Sequence, residues 1–516
     1  MSKPLSFVAA ILLSAAPALA QQAAPPRPAV PPPSGPSLSL SMEQAVTMAM
    51  EANLGLKADR LDVNIAAENI ASARATFKPV LSSSFGRNTS ETASGSAFEG
   101  GDIVSRAGSS VSSTLSQNSP WYGGRYNVSW SGRRDTTTQL ASSYNPTLNS
   151  TVAFGVSQPL LRNFRIDNAR ASLQNAERGR QIADLTLEQR ITTTRNNVQL
   201  AYLGLIGAIK QLEVANQNMD LAQRSLNNFK SRVAVGVSAD IEVIQAEASV
   251  ARQEEGVVVA EAGIDTAMDN LRALILDPTR ADYWQVRLQP TDVITAVPRD
   301  IDVDAAVRNA LASRLDLLAL KRIQETTSLN LKVSENQLKP ALDLNVNYQS
   351  TGTGGTKYGY DYSTGFPQVT SQLNRSFGTA LSEAFGGTYP SWNMNVQFSY
   401  PLGHNAAKAA LARGRLEKRQ EDLSLQNLEL QVSTQVRNAA RDVQMNLKRV
   451  EATRKAREAT ERQLDAENRK FGVGLSSAFE LQTHEGNLAN SRISELNAMI
   501  SYNRALIAFE RVQKIQ

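Results

Sequence analysis

The chain has 516 residues, a formal net charge of +5 and no cysteine. Disulfides and thiolate metal or redox sites are therefore excluded. Its 54 Lys+Arg and 49 Asp+Glu are interleaved, which reads as solvated helix faces and not as a nucleic-acid-binding patch.

Residues 1–20 read as a secretory signal peptide: Lys3 supplies the charge, Phe7 to Leu13 the apolar stretch, and Ala18-Leu19-Ala20 the cleavage site before Gln21. No cysteine follows, so no N-terminal lipid anchor is expected. No other window approaches the roughly 20 apolar residues of a membrane helix, so any membrane crossing must use strands. Residues 21–38 are Pro- and Ala-rich and read as an extended, disordered leader, with folded structure starting near Ser39.

Ser41 is placed to cap a helix carrying Ala45, Val46, Met48 and Ala49. A second helix is expected from about Leu56 to Phe77, ending before Pro79 because proline disfavours helix in the preceding residue. Strands follow, with Leu81 and Phe85, then Tyr126, Val128 and Trp130, then Val152, Phe154 and Val156 on one face. A proline-free run from about Ile166 to Val235 carries Val198, Ala201, Leu205, Ala208, Leu212, Ala215, Met219, Ala222, Leu226, Phe229 and Val233 at spacings of three and four. That is a coiled-coil seam on one very long helix. A return helix, about Ala239 to Leu276, carries Ile241, Ile244, Ala248 and Ala251, read as its seam face.

The order then repeats. Lys78-Pro79 is answered by Lys339-Pro340, Gln158-Pro159-Leu160 by Tyr400-Pro401-Leu402, and Val235-Gly236-Val237-Ser238 by Val473-Gly474-Leu475-Ser476. Strands with Leu342, Leu344, Val346 and Tyr348, and with Met394, Val396, Phe398 and Tyr400, alternate apolar with polar residues, as in a barrel wall between lipid and water. Val436, Ala439, Val443 and Val450 continue the seam in the second long helix. Arg457 and Glu467 replace Met219 and Phe229, so this helix is expected to be wetter. The organisation expected is a first repeat over 39–276, a linker over 277–303 and a second repeat over 304–516.

The duplicated order, the run Gln158-Pro159-Leu160-Leu161-Arg162, and the turns Arg232–Ser238 and Lys470–Ser476 resemble the TolC family of outer-membrane efflux and secretion ducts across essentially the whole mature chain. The resemblance implies an α+β membrane protein and a homotrimer, sharing one β-barrel in the outer-membrane lipid and one α-helical barrel through the periplasm, with the linker as an equatorial belt. It also implies a duct that docks on a periplasmic adaptor (membrane fusion) protein and an inner-membrane transporter, conducting cargo passively in a tripartite efflux or type I secretion system. Two departures stand out. The family's Asn-Pro near the first helix end reads Asn53-Leu54 and Arg314-Leu315 here. The stretch from Pro79 to Pro159 is longer than that from Pro340 to Pro401, so the usual four strands per protomer are in doubt. The extra segment is either added strand, around Tyr126 to Trp130, or external loop.

Gly236, Val237, Gly474 and Leu475 are the candidate adaptor-docking tips; tight turns alone would also explain the glycines. Glu242 and Glu480 follow at matching places and are the candidate residues of the periplasmic aperture. The family resemblance assigns Glu480 to the lining of the periplasmic aperture, where three symmetry-related carboxylates would favour cations. The family's second acidic position is Thr483 here. An ordinary solvated helix glutamate is the simpler reading. His404 and His484 lack neighbours at metal-ligand spacing. Trp121-Tyr122, Trp130, Trp392 and Tyr400 suit an aromatic girdle. With no phosphate loop or serine elbow and with carboxylates spread along helices, the chain is not read as an enzyme, and no cofactor is expected. The rival reading, an exported coiled-coil structural or adhesive surface protein, leaves the strand pairs before each helical hairpin unexplained.

Overall fold

The computed structural model describes residues 36–95, 99, 101–236, 239–365, 367–403 and 405–513. The expected signal peptide, most of the leader, Val237 and His404 lie outside them.

The two halves are built to one ruler. Helices α1 (Met42–Ala52) and α2 (Leu54–Ala75) are matched by α5 (Val303–Ser313) and α6 (Leu315–Gln337). The long helix α3 (Asn168–Ala234) and return helix α4 (Asp240–Ile275) are matched by α8 (Ala406–Gly472) and α9 (Ala478–Gln513). Both long helices have 67 residues and both return helices 36. At 1.5 Å per residue, α3 and α8 are each about 100 Å long. No described helix is long and apolar enough to cross a membrane.

Local chemistry accounts for the starts and breaks. Ser41 caps α1 in a capping box with Gln44, whose amide reaches the Ser41 hydroxyl at 3.3 Å while its side chain accepts from the Ser41 amide at 2.8 Å. Asn53 and Arg314 break each helix pair in extended conformation, with ψ of 118° and 128°. Without the family's proline, Asn53 restarts the helix by accepting from the Leu56 amide at 3.0 Å, and Arg314 forks onto Asp316.

Folded structure begins slightly earlier than expected, with strand β1 (Ser37–Leu40) pairing parallel to β6 (Arg287–Pro290) in the linker. Two buried tyrosines tie the belt across the helices: Tyr202 Oη lies 2.9 Å from both the Leu40 carbonyl of β1 and Asp292 Oδ2 of the linker, and Tyr502 Oη donates to the Val297 carbonyl at 2.6 Å. One core cluster surrounds Tyr202, with Leu205, Leu271, Ile275 and Leu288; a second surrounds Tyr502, with Leu317, Val432, Val436 and Val443.

The large sheet differs from the sequence reading. The first half gives four strands, β2 (Val80–Ala93), β3 (Ile103–Asn118), β4 (Arg125–Thr137) and β5 (Tyr144–Pro159). The second half gives β7 (Ala341–Asp361), β8 (Gln368–Arg375) and β9 (Pro390–Ser399). The run around Tyr126–Trp130 is indeed a strand, and the Ser-rich stretch before it is its hairpin partner, not a loop. The sheet runs antiparallel in the order β2-β3-β4-β5-β7. The far edge of β7 is shared by β9, over Ala341–Ser350, and β8, over Gly355–Asp361. A short helix, α7 (Phe377–Gly386), lies on the sheet; a Cβ at Gly352 would sit 1.9 Å from the Ala380 carbonyl oxygen, so only glycine admits the helix there.

Near the helices, two adjacent rows across the sheet differ in character, while rows farther out, such as Ser83, Ser113, Trp130, Val152 and Ser350, are mixed. Leu81, Leu115, Val128, Phe154, Tyr348 and Trp392 are successive partners on one face; Ser82, Thr114, Ser129, Ala153, Gln349 and Ser391 are successive partners on the other. The large apolar side chains of the first row are substantially exposed in the single chain.

Candidate functional site at the helical tips

The end of the molecule opposite the sheet carries the two hairpin turns. Gly236 has φ +75° and Gly474 φ +78°, the left-handed region that glycine enters without steric cost. The residues before them, Val235 and Val473, share nearly the same backbone, with φ of −99° and −101°. The turns therefore repeat in geometry as well as in letters. Arg232 joins them: it donates to the Phe471 carbonyl at 3.2 Å and lies over the Phe471 ring at 4.3 Å. Phe471 meets Phe229 edge-on, with centroids 5.4 Å apart, inside a core that also holds Leu226, Ala246, Leu464 and Leu481.

This packing brings five of the six expected site residues to one end: Gly236, Gly474, Leu475, Glu242 and Glu480; the sixth, Val237, lies outside the described residues. Leu475 is 78% exposed. Of its neighbours, the sequence reading missed Phe479. Val235, Val473 and Phe479 are also exposed, so each tip presents a small apolar surface. Ile241, assigned to the seam, is exposed too.

One expectation about the helices is corrected and another refined. On α4, the stripe Ile241, Ile244, Ala248 and Ala251 faces outward, while Val243, Ala246 and Val250 pack against the tip core. On α8, whose lower half is more exposed than that of α3, the charged replacements are paired and are not themselves the wet positions. Arg457 is ion-paired with Glu495 of α9 and with Glu461, at 2.7 Å from the latter. Glu467 is buried, accepts from the Ser476 hydroxyl, and pairs with Lys470 at 3.1 Å. Those bonds, the Ser476 one first, hold its carboxyl below its ordinary range. Glu467 thereby ties the second turn back to the helix that leads into it. Val436, Ala439, Val443 and Val450 are buried, as expected.

Glu242 and Glu480 occupy the first turns of α4 and α9, where the helix dipole favours a carboxylate. Glu480 points to solvent in the single chain, and its amide donates to Ser477 Oγ at 3.2 Å. One turn further along α9, Glu485 was not foreseen. It lines a cavity of about 130 Å³ between α3, α4 and α9, with Asn218, Arg252, Gln253 and Gln482. Burial pushes its carboxyl up to about 7, and the neighbouring Ser225 hydroxyl offsets only part of that. Because the folded value lies above the ordinary 4.5, the native state is favoured below that pH and loses stability as pH rises through about 7. Glu485→Gln is expected to match the parent in thermal melts near pH 4.5 and to exceed it at pH 8, by about 1–3 kcal/mol after discounting for partial solvation. A pH-independent difference would count against the buried carboxyl.

The aromatic residues divide. Trp121 and Tyr122, in the turn between β3 and β4, and Tyr400, just past β9, are exposed at the helix end of the sheet, whereas Trp130 and Trp392 lie within it. His484 is half-buried on α9.

The sequence profile of the family described as outer membrane efflux protein matches residues 45–275 and 306–512. The chain belongs to this family. It is a family of channels and not of enzymes, and membership places the chain in the outer membrane with an extension into the periplasm. Curated relatives agree. The outer membrane protein TolC of Vibrio cholerae is 22% identical over 313 residues, covering 60% of this chain and 66% of that protein. TolC of Escherichia coli is 21% identical over 338 residues, covering 63% and 62%. The chain thus spans just under two thirds of the length of these relatives. Among solved structures, the Campylobacter jejuni CmeC outer membrane channel has a TM-score of 0.65 at 13% identity, covering 92% of this chain and 85% of that one. VceC of Vibrio cholerae has a TM-score of 0.64 at 13% identity, covering 92% and 97%. At such identities these likenesses speak for the fold.

Proposed function

We propose that three copies of this chain form an outer-membrane exit duct, which passively conducts cargo delivered by an inner-membrane transporter through a periplasmic adaptor. The observation that carries the reading is that the single chain is an open array at every level, with matching free edges. Near the sheet the helices pack in the order α2, α3, α6, α8; near the tips the order is α4, α3, α9, α8. The sheet ends in β2 on one side and in β9 and β8 on the other. The α2, α4 and β2 edges lie on one flank, the α8 and β9 edges on the other.

The flanks are apolar where helices meet water. Leu54, Leu61 and Ile65 are exposed on α2, and Leu416, Leu423 and Leu430 on α8. Counted from the sheet end, the α2 stripe lies 10, 14 and 21 residues below Ala75, and the α8 stripe 10, 17 and 24 residues below Ala406. The stripes therefore stand at similar heights on opposite flanks. The outward stripe of α4 continues the first flank toward the tips. A head-to-tail contact between different surfaces closes into a ring if the rotation fits. In a ring, the apolar sheet face would meet outer-membrane lipid and the polar face would line a water-filled passage.

At the far end, the apolar tips around Gly236 and Gly474 would seat the adaptor, and the ring would bring three Glu480 side chains around the axis. The test is conductance of the purified protein in planar bilayers. A cation-preferring pore is expected, with the preference reduced in Glu480→Gln. An unchanged preference in that variant would remove Glu480 from the aperture; no conductance at all would remove the duct.

A further inference from the structure

We propose that each copy of this chain contributes six strands to the shared wall, so that three copies close an eighteen-stranded barrel; this rests on the three-copy reading above. The number comes from the pairing. The hairpin of β3 and β4 sits between β2 and β5, so those two strands do not touch. Pairing is continuous across it: Val80–Ala93 with Ile103–Ser116, Arg106–Asn118 with Arg125–Thr137, and Arg125–Asp135 with Thr147–Ser157, none with a register shift. On the far side, β9 and β8 share one edge of β7 and count as a single position. The wall is thus β2, β3, β4, β5, β7, and then β9 with β8 above it.

The inserted hairpin has the chemistry of wall. Val111 and Leu115 on β3, and Tyr126, Val128 and Trp130 on β4, fall on the same face as Leu81, Phe154, Tyr348 and Trp392. Ser112, Thr114 and Ser116, with Asn127, Ser129 and Ser131, fall on the other. Some rows are mixed, as at Ser113 and Trp130, but a plug or an external loop would have no reason to keep Val111, Leu115, Val128 and Trp130 on the one face that Leu81 and Phe154 share. The free edges also suit each other. β2 leads away from the helices after α2, and β9 returns toward them before α8, so an edge-to-edge meeting of two copies is antiparallel, like every other pair in the sheet. In lipid an open edge cannot persist, because its backbone groups have no other partner.

Strand number sets width. With strands about 4.8 Å apart and tilted about 40°, eighteen strands give a backbone diameter of about 36 Å, against about 24 Å for twelve. The outer-membrane end of this duct is therefore wider than four strands per copy would allow.

The experiment is single-particle electron microscopy of the detergent-extracted protein at a resolution that separates strands, alongside a variant lacking residues 103–137. The deletion removes one up-and-down pair, so β2 and β5 remain antiparallel and able to meet. Eighteen strands in the parent, with narrowing by about one third in the deletion variant, is the expected result. A threefold tube whose barrel has twelve strands, with the hairpin folded elsewhere, would overturn the strand count and leave the duct standing. Absence of a threefold tube would remove the duct and this inference together. If the deletion variant fails to fold, the strand count in the parent still decides.

Discussion

Replacing Leu423 and Leu430 with arginine should abolish assembly while leaving the single chain folded. Both leucines are exposed in the single chain, at 57% and 67%, and touch neither apolar core of the helical body, so folding itself loses little. In the proposed ring they press against the α2 flank of the next copy, where two unpaired guanidinium groups would each lose hydration worth several kcal/mol. Even a combined cost of about 4 kcal/mol lowers association roughly a thousandfold. Light scattering of the detergent extract should give the mass of one chain, with helical circular dichroism retained. Because the chain has no cysteine, Leu61→Cys with Leu423→Cys supplies a clean second readout: oxidation should yield covalent multimers. Arginine variants that assemble like the parent would show that these stripes are not the contact.

The second large effect is expected at the tips. Gly236→Val with Gly474→Val forces a β-branched residue into the left-handed region at both turns, at about 1–3 kcal/mol each. Nothing lies within 4 Å of a Cβ built at either glycine, so the disturbance is one of backbone and exposed surface, not of packing. The variant should reach the outer membrane as a ring yet lose adaptor cross-linking and efflux. Two companions separate the causes. Asparagine at both glycines tolerates the left-handed conformation and should retain substantial activity. Val473→Ser with Leu475→Ser keeps the turns but removes apolar surface, and should weaken adaptor capture. Full cross-linking and efflux in the valine variant would exclude the tips as the docking surface.

Most of the architecture was legible because the chain states it twice. The offset between Val235-Gly236 and Val473-Gly474 is the offset between the starts of α3 and α8, and Lys78-Pro79 to Lys339-Pro340 carries α2 onto α6 in the same way. Ser41 gave the first helix start, and alternation at Val152, Phe154 and Val156 gave β5. What escaped had a physical reason. Strand β3 reads Ser109-Ser110 and Ser112-Ser113, and serine marks neither face, so its alternation is nearly silent until Leu81 and Val128 are seen beside Leu115. Helix α4 has apolar residues at helical spacing on two faces; periodicity could not say which face its own chain covers and which is left for a neighbour.

At the site, the glycines were legible because left-handed turns require them. Glu485 was not, since a single acidic residue carries no sign in sequence of the cavity it will occupy. Nor could sequence distinguish Glu467 as a solvated charge from Glu467 as a buried acceptor for Ser476. Its place in a seam position pointed to water; the serine nine residues later, brought back by the turn, supplied the partner instead.

The central claim is that one chain is one third of a closed tube. The most direct measurement is the symmetry and outline of the detergent-extracted protein in single-particle electron microscopy. The account predicts threefold particles with a short barrel joined to a helical cylinder about 100 Å long, tapering to six hairpin tips. Single rods, or particles of any other symmetry, would contradict it.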